Sequence, residues 1–153
     1  MSRDQLRLEV AVHEAGHACV ARLRGGRSGR ATLCDHDGGA RAYFSDGEGI
    51  MSVMAILAGR AAAEVILGRA DDYGCSIDDA TAKRLFLADG SRERFYPGFR
   101  QGLLKQARAL IRQHRAEVVA VANALLERET LSGAEIDQLM MDGCAGAWRR
   151  VTR

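Results

Sequence analysis

The stretch VAVHEAGHACVARLRGG, Val10 to Gly26, sets out a helical pattern, a polar constellation and a stop within a few turns. Leu6, Val10, His13 and His17 recur at three- and four-residue spacing, the signature of one helix face, and the pair Gly25 and Gly26 ends it. The spacing predicts a first helix from Asp4 to about Arg24. Residues four apart lie one turn apart on the same face, so the imidazoles of His13 and His17 can reach one cation together. Glu14 stands beside that position, where a carboxylate can take a proton from a water that the cation has made more acidic. Gly16, between the histidines, costs a helix about 1 kcal/mol against alanine. A glycine kept at that cost points to close packing or to a substrate's approach.

Outward from this helix, SGRATLCDHDGGARAYFSDGEG (Ser28 to Gly49) carries two short β-prone pieces around the turn-forming Asp37, Gly38 and Gly39. It reads as a β-hairpin with edge character. Ile50 to Leu67 is rich in Ala, Leu, Ile and Met and stops at Gly68, as a centrally buried second helix would. In GRADDYGCSIDDATAKRLFLADG, Ser76 followed by Asp79 resembles a capping signal, which starts a helix there, puts Asp78 in its first turn and ends it near Ala88. After the SRERFYPGF break come two amphipathic helices, Arg100 to Gln113 and Arg115 to Arg128, meeting near His114. Ser132 with Glu135 caps a last helix. The expected architecture is mainly α with one small β-hairpin or sheet, folded as a single domain over residues 1–153.

Composition narrows the function classes. Twenty-two basic against twenty acidic residues leave a formal charge of +2, too little for a nucleic-acid surface, so no nucleic-acid partner is expected. No apolar run reaches the roughly 20 residues that span a bilayer, and the charged N-terminus lacks a signal peptide's apolar core. The expectation is a cytoplasmic protein with no membrane segment in this chain. Cys19, Cys34, Cys75 and Cys144 form no CxxC pair, so free thiols are expected. Asp35, His36 and Asp37 read as a polar turn tip, and the run Arg84, Arg92, Arg94 and Arg100 as a solvated face.

A catalytic zinc needs a third protein ligand and one open position. The longer HExxHxxGxxH pattern is excluded, because Val20 and Leu23 stand where its glycine and last histidine would be. Two carboxylates remain: Glu64 on the second helix and Asp78.

Four segments, HEAGHACVA, LAGRAAAEVILG, GCSIDDATA and LLERETLSGAEIDQL, together resemble the peptidase domain of FtsH-type ATP-dependent zinc metalloproteases, in order and approximate spacing from Val10 to Leu139. The resemblance implies zinc held by His13, His17 and Asp78, with Glu14 as catalytic base. Cys75 and Ile77 replace a small residue and an asparagine of the family pattern, and Ala63 replaces a glutamate, leaving Glu64 as a candidate to orient a ligand histidine. It also implies a polypeptide substrate received by strand addition along RATLC, and homo-oligomeric rings. The family joins this domain to an ATPase module, whereas no GxxxxGK[ST] phosphate loop occurs here. A separate ATPase partner is therefore expected if folded substrates are to be unfolded. The alternative is a non-proteolytic zinc-binding interaction domain, against which the intact Glu14 argues.

Overall fold

Ser2 starts the first helix. Its hydroxyl accepts from the Gln5 backbone N–H at 3.2 Å while the Gln5 side chain accepts from the Ser2 N–H at 2.9 Å, a reciprocal capping box that launches α1 (Arg3–Leu23). The helix closes as the glycine pair predicts. Gly25 takes φ +85°, the Gly26 N–H reaches Ala21 O at 2.8 Å and the Gly25 N–H reaches Arg22 O at 3.0 Å, which satisfies carbonyls that the helix leaves open.

The computed structural model describes residues 2–33, 40–45, 50–70 and 72–151. After α1 come β1 (Arg27–Leu33), β2 (Ala40–Ser45), α2 (Ile50–Leu67), α3 (Asp72–Ala88), a single 3-10 turn (Glu93–Phe95), α4 (Tyr96–Gln113), α5 (Arg115–Arg128), β3 (Thr130–Ser132) and α6 (Gly133–Val151). The fold is mainly α with one small antiparallel sheet. The predicted hairpin turn at Asp37 to Gly39, with Asp35 and His36, lies outside the described residues, as does Cys34. No helix among the described residues is long and apolar enough to cross a membrane.

The sheet corrects one expectation. Its order is β2-β1-β3, so the strand containing RATL is central rather than exposed. Ala31 faces Ala42 on one side and Leu131 on the other, and both backbone edges of β1 are occupied from Arg30 to Thr32. Leu131 causes this: it is wholly buried, and burying it brings β3 against β1. Strand addition along Arg30 to Thr32 is thereby blocked, and the outer strands among the described residues are β2 and β3.

Two helix starts also move. α3 begins at Asp72, so Ser76 lies inside the helix and Asp78 falls in its second turn. Cys75 is wholly buried, and packing that turn outweighs the local capping signal at Ser76. α4 begins at Tyr96, with Pro97 in the first turn, where a missing N–H costs nothing. The predicted capping box at Ser132 is present, with the Ser132 N–H donating to Glu135 at 2.8 Å.

α1 lies between α2 and α5 and also touches the sheet, while α4 packs on the other side of α2. The α1–α2 seam is made of small residues. Ala11, Ala15 and Ala18 of α1 and Ala55, Ala58, Ala61 and Ala62 of α2 are all buried where the two helices pack. A Cβ on Gly16 would lie 2.5 Å from Ala62 Cβ and 2.6 Å from Ala58 O, so only glycine lets the backbones approach this closely. Larger side chains fill the remainder: Met54, Leu57, Ile111, Leu125 and Ile136 are fully buried. Each such side chain contributes roughly 1.5–3 kcal/mol of transfer free energy.

Candidate metal centre

α1 brings the two histidines of its motif together as their spacing requires. The His13 and His17 rings lie 4.6 Å apart, edge to face, and the ligand atoms of His13, Glu14 and His17 fall within 4.8 Å of one another. His17 and Glu14 are buried and His13 is partly so.

The close seam with α2 completes the first half of the site. His17 Nδ1 lies 2.8 Å from the Ala55 carbonyl, which can only accept, so Nδ1 carries a proton and Nε2 is the nitrogen turned to the site. One turn beyond Ala55 comes Gly59, where a Cβ would stand 2.6 Å from Nε2 of His13 and 2.6 Å from Nε2 of His17. The absent side chain of Gly59 is the space into which both nitrogens point.

α3 supplies the second half. Asp78 Oδ2 lies 2.9 Å from His13 Nε2 and 3.2 Å from His17 Nε2, though sixty residues separate Asp78 from the motif. That oxygen is buried and no hydrogen bond satisfies it. Burial by itself would lower the pKa of His17, but Asp78 and the charge of Glu14 outweigh it and push the imidazole up to about 9. Burial would likewise raise Asp78, and the imidazoles of His13 and His17 instead hold its carboxyl well below the usual carboxylate range. Both shifts have one origin: the Asp78 carboxylate favours a proton on His17, and the imidazole N–H groups facing it favour the ionised carboxylate in return.

The donor set fits a metal ion. Bonds of about 2.0–2.1 Å in a tetrahedral arrangement place ligand atoms about 3.3 Å apart, close to the separations observed between Asp78 and the histidines. Two imidazoles and one carboxylate suit zinc and leave a position open.

Glu64 takes another place. Arg108 Nε donates to its carboxylate at 2.6 Å and Arg60 lies 3.8 Å away, while the group that holds His17 is the Ala55 carbonyl. The helix turn explains the difference: nine residues at about 100° each put Glu64 on the opposite side of α2 from Ala55, toward α4. Gly59 was legible in principle, since a glycine inside LAGRAAAEVIL weakens a helix as Gly16 does. Ala55 was not legible, because its contribution is a backbone carbonyl. His114, at the junction of α4 and α5, pairs with Glu117 at 3.0 Å and stands apart from the centre.

Residues 5–69 match the model of a family described as Peptidase M50B-like. The matched stretch runs from α1 past the end of α2, holds His13, Glu14, His17 and Gly59, and covers fewer than half of the 153 residues. It supports a metallopeptidase-family domain. That description is not the FtsH-type one; the two agree on metallopeptidase chemistry, and Asp78 lies beyond the match. No curated protein matches the chain.

Proposed function

We propose that this chain, as one domain, is a zinc metalloendopeptidase that hydrolyses peptide bonds in unfolded or flexible protein segments. The observation that carries the reading is the approach of Asp78 Oδ2 to Nε2 of both histidines, because helices distant in sequence converge there on a set of metal-ligating donors. The FtsH-type kinship rests on the four quoted segments and is supported by that same approach, since the resemblance pointed to Asp78 before any geometry did.

Under this reading His13, His17 and Asp78 hold the ion and Gly59 leaves room beside it. Zinc, when bound, supplies a Lewis acid that polarises a carbonyl and makes water more acidic. Glu14 acts next to it, accepting the proton of the attacking water and returning it to the departing amine. The Ala55 carbonyl keeps His17 in the tautomer that a metal requires. An extended substrate can add only to an outer strand, and β2, which packs on α1 and is longer than β3, is the edge beside the motif helix. Folded substrates call for a separate ATPase partner.

The test pairs metal content with cleavage of an unfolded casein-type substrate by the native chain and by Glu14→Gln. Native protein should carry about one zinc per chain and cleave, and the variant should keep its zinc and lose at least about 100-fold in rate. Zinc without cleavage in either protein favours the interaction-domain reading. Absence of zinc binding removes the site itself.

A further inference from the structure

Asp78 stands on a peripheral helix. α3 packs on α2, with Cys75 and Ala82 buried, and its far end meets α4 through Phe86, whose ring lies 5.5 Å from that of Tyr96 and 4.6 Å from that of Phe99, while Ser76, Ile77, Ala80, Arg84 and Leu85 are exposed. Such a helix can slide or turn on its neighbour, and an error of about 1 Å at a ligand matters for a centre whose other donors are fixed on α1. The next residue, Asp79, is held from three sides. Arg100 on α4 forks its carboxylate, with Nε to Oδ1 at 2.8 Å and Nη2 to Oδ2 at 2.7 Å. Arg60 on α2 reaches Oδ2 at 3.5 Å, and the Tyr96 hydroxyl donates to the Asp79 carbonyl at 3.0 Å.

The pairing has a register to it. On α2, Gly59 lines the centre and the following Arg60 reaches toward Asp79. On α3, Asp78 faces the centre and the following Asp79 receives Arg60 and Arg100. Adjacent helix residues point about 100° apart, so each helix makes the centre with one residue and the clamp with the next. Resting on the metal reading above, we propose that Asp79, gripped by Arg100, is a positioning residue that sets the axial and rotational placement of α3 and so aims Asp78 at His13 and His17.

A forked arginine–carboxylate pair defines direction as well as distance, which a single-point lysine contact does not. Asp79 and Arg100 are both about a quarter exposed, 27% each, so solvent screens their attraction and the pair adds little to global stability. A positioning role therefore has its own signature: metal affinity and coordination geometry change while the fold barely does. Lys83, one turn further along α3, provides the contrast, since its ion pair with Glu93 of the 3-10 turn is exposed.

The experiment loads the full chain with Co²⁺ as a spectroscopic probe and measures affinity, visible ligand-field absorption, and the melting temperature of the metal-free protein. Native chain, Arg100→Ala, Arg100→Lys, Asp79→Asn and Lys83→Ala are compared. Arg100→Ala and Asp79→Asn should bind Co²⁺ at least about tenfold more weakly, with an altered absorption band and metal-free helical content kept. Arg100→Lys should fall between them and the native chain, and Lys83→Ala should match the native chain. If Arg100→Ala loses helical content, Arg100→Lys, which keeps the charge but not the fork, carries the test. Affinities within twofold of the native chain and unchanged spectra in the Arg100 and Asp79 variants overturn the inference alone. A native chain that binds no Co²⁺ overturns the metal reading and this inference with it.

Discussion

At the scale of single residues, Gly59 is the most exacting position in the centre. A methyl group there would sit 2.6 Å from both Nε2 atoms, and those atoms are the far ends of side chains that can rotate away. Gly59→Ala is therefore expected to fold, with alanine's helix propensity contributing about 1 kcal/mol in its favour. The displaced imidazoles would no longer converge with Asp78. The expected outcome is a metal-free melting temperature at or above the native value together with at least about a hundredfold weaker zinc binding, read by calorimetric titration. Native-like affinity in that variant would show that the space beside Gly59 is not where the ion sits.

At the scale of elements, the same substitution at Gly16 should do the opposite. Its Cβ would meet Ala62 Cβ at 2.5 Å and the Ala58 carbonyl oxygen at 2.6 Å, neither of which can swing aside, so α1 and α2 would be forced apart along their seam. Overpacking of this kind costs typically 1–3 kcal/mol, more than the gain in helix propensity. Gly16→Ala is expected to lower the melting temperature by on the order of 5 °C in thermal unfolding followed by circular dichroism. A more stable variant would refute the tight seam. Helix ends were legible at this scale wherever a local motif decides them. The Gly25–Gly26 stop, the Ser132–Glu135 cap and the end of α2 at Gly68 each depend on a few neighbouring atoms. The start of α3 was not, since the burial of Cys75 extends the helix past a serine that resembles a cap. The central place of β1 was hidden for the same reason: β3 is a three-residue strand from a distant part of the chain.

At the scale of the whole molecule, the convergence of His17 and Asp78 links folding to pH and, under the proposed function, to metal. His17 has its folded-state pKa raised from 6.5 to about 9, so its contribution to the metal-free protein is fully present below 6.5 and is lost as pH rises through about 9. Asp78 is depressed below its ordinary 3.8, so its contribution is present above that value and is lost as pH falls through its lowered pKa. Under the proposed function, zinc would replace the proton as the positive partner of Asp78, and protons would compete with it less as pH rises. Melting temperatures of chelator-treated and zinc-loaded protein should therefore diverge progressively between pH 6.5 and 9, the chelated form declining and the loaded form holding. A constant gap across that window would mean that His17 is not the shared binding point of proton and metal.

The sequence by itself determined the helical class, the long first helix with its paired histidines and glutamate, and the buried alanine-rich second helix. Each follows from periodicity and from contacts only a few residues long. It also pointed to Asp78, though through resemblance rather than spacing, because no local rule connects a residue on α3 with a motif on α1. Tertiary structure alone decided that Asp78 and the histidines meet, that Gly59 empties the space between them, that the Ala55 carbonyl sets the His17 tautomer, and that Glu64 turns to Arg108. The run containing Arg100 reads as a solvated face until α4 is laid against α3, where one of its arginines grips Asp79. The physical reason is common to all of these. Helix periodicity says which side of a helix a residue occupies, whereas the choice of neighbour for that side belongs to the packing of small residues between helices far apart in the chain.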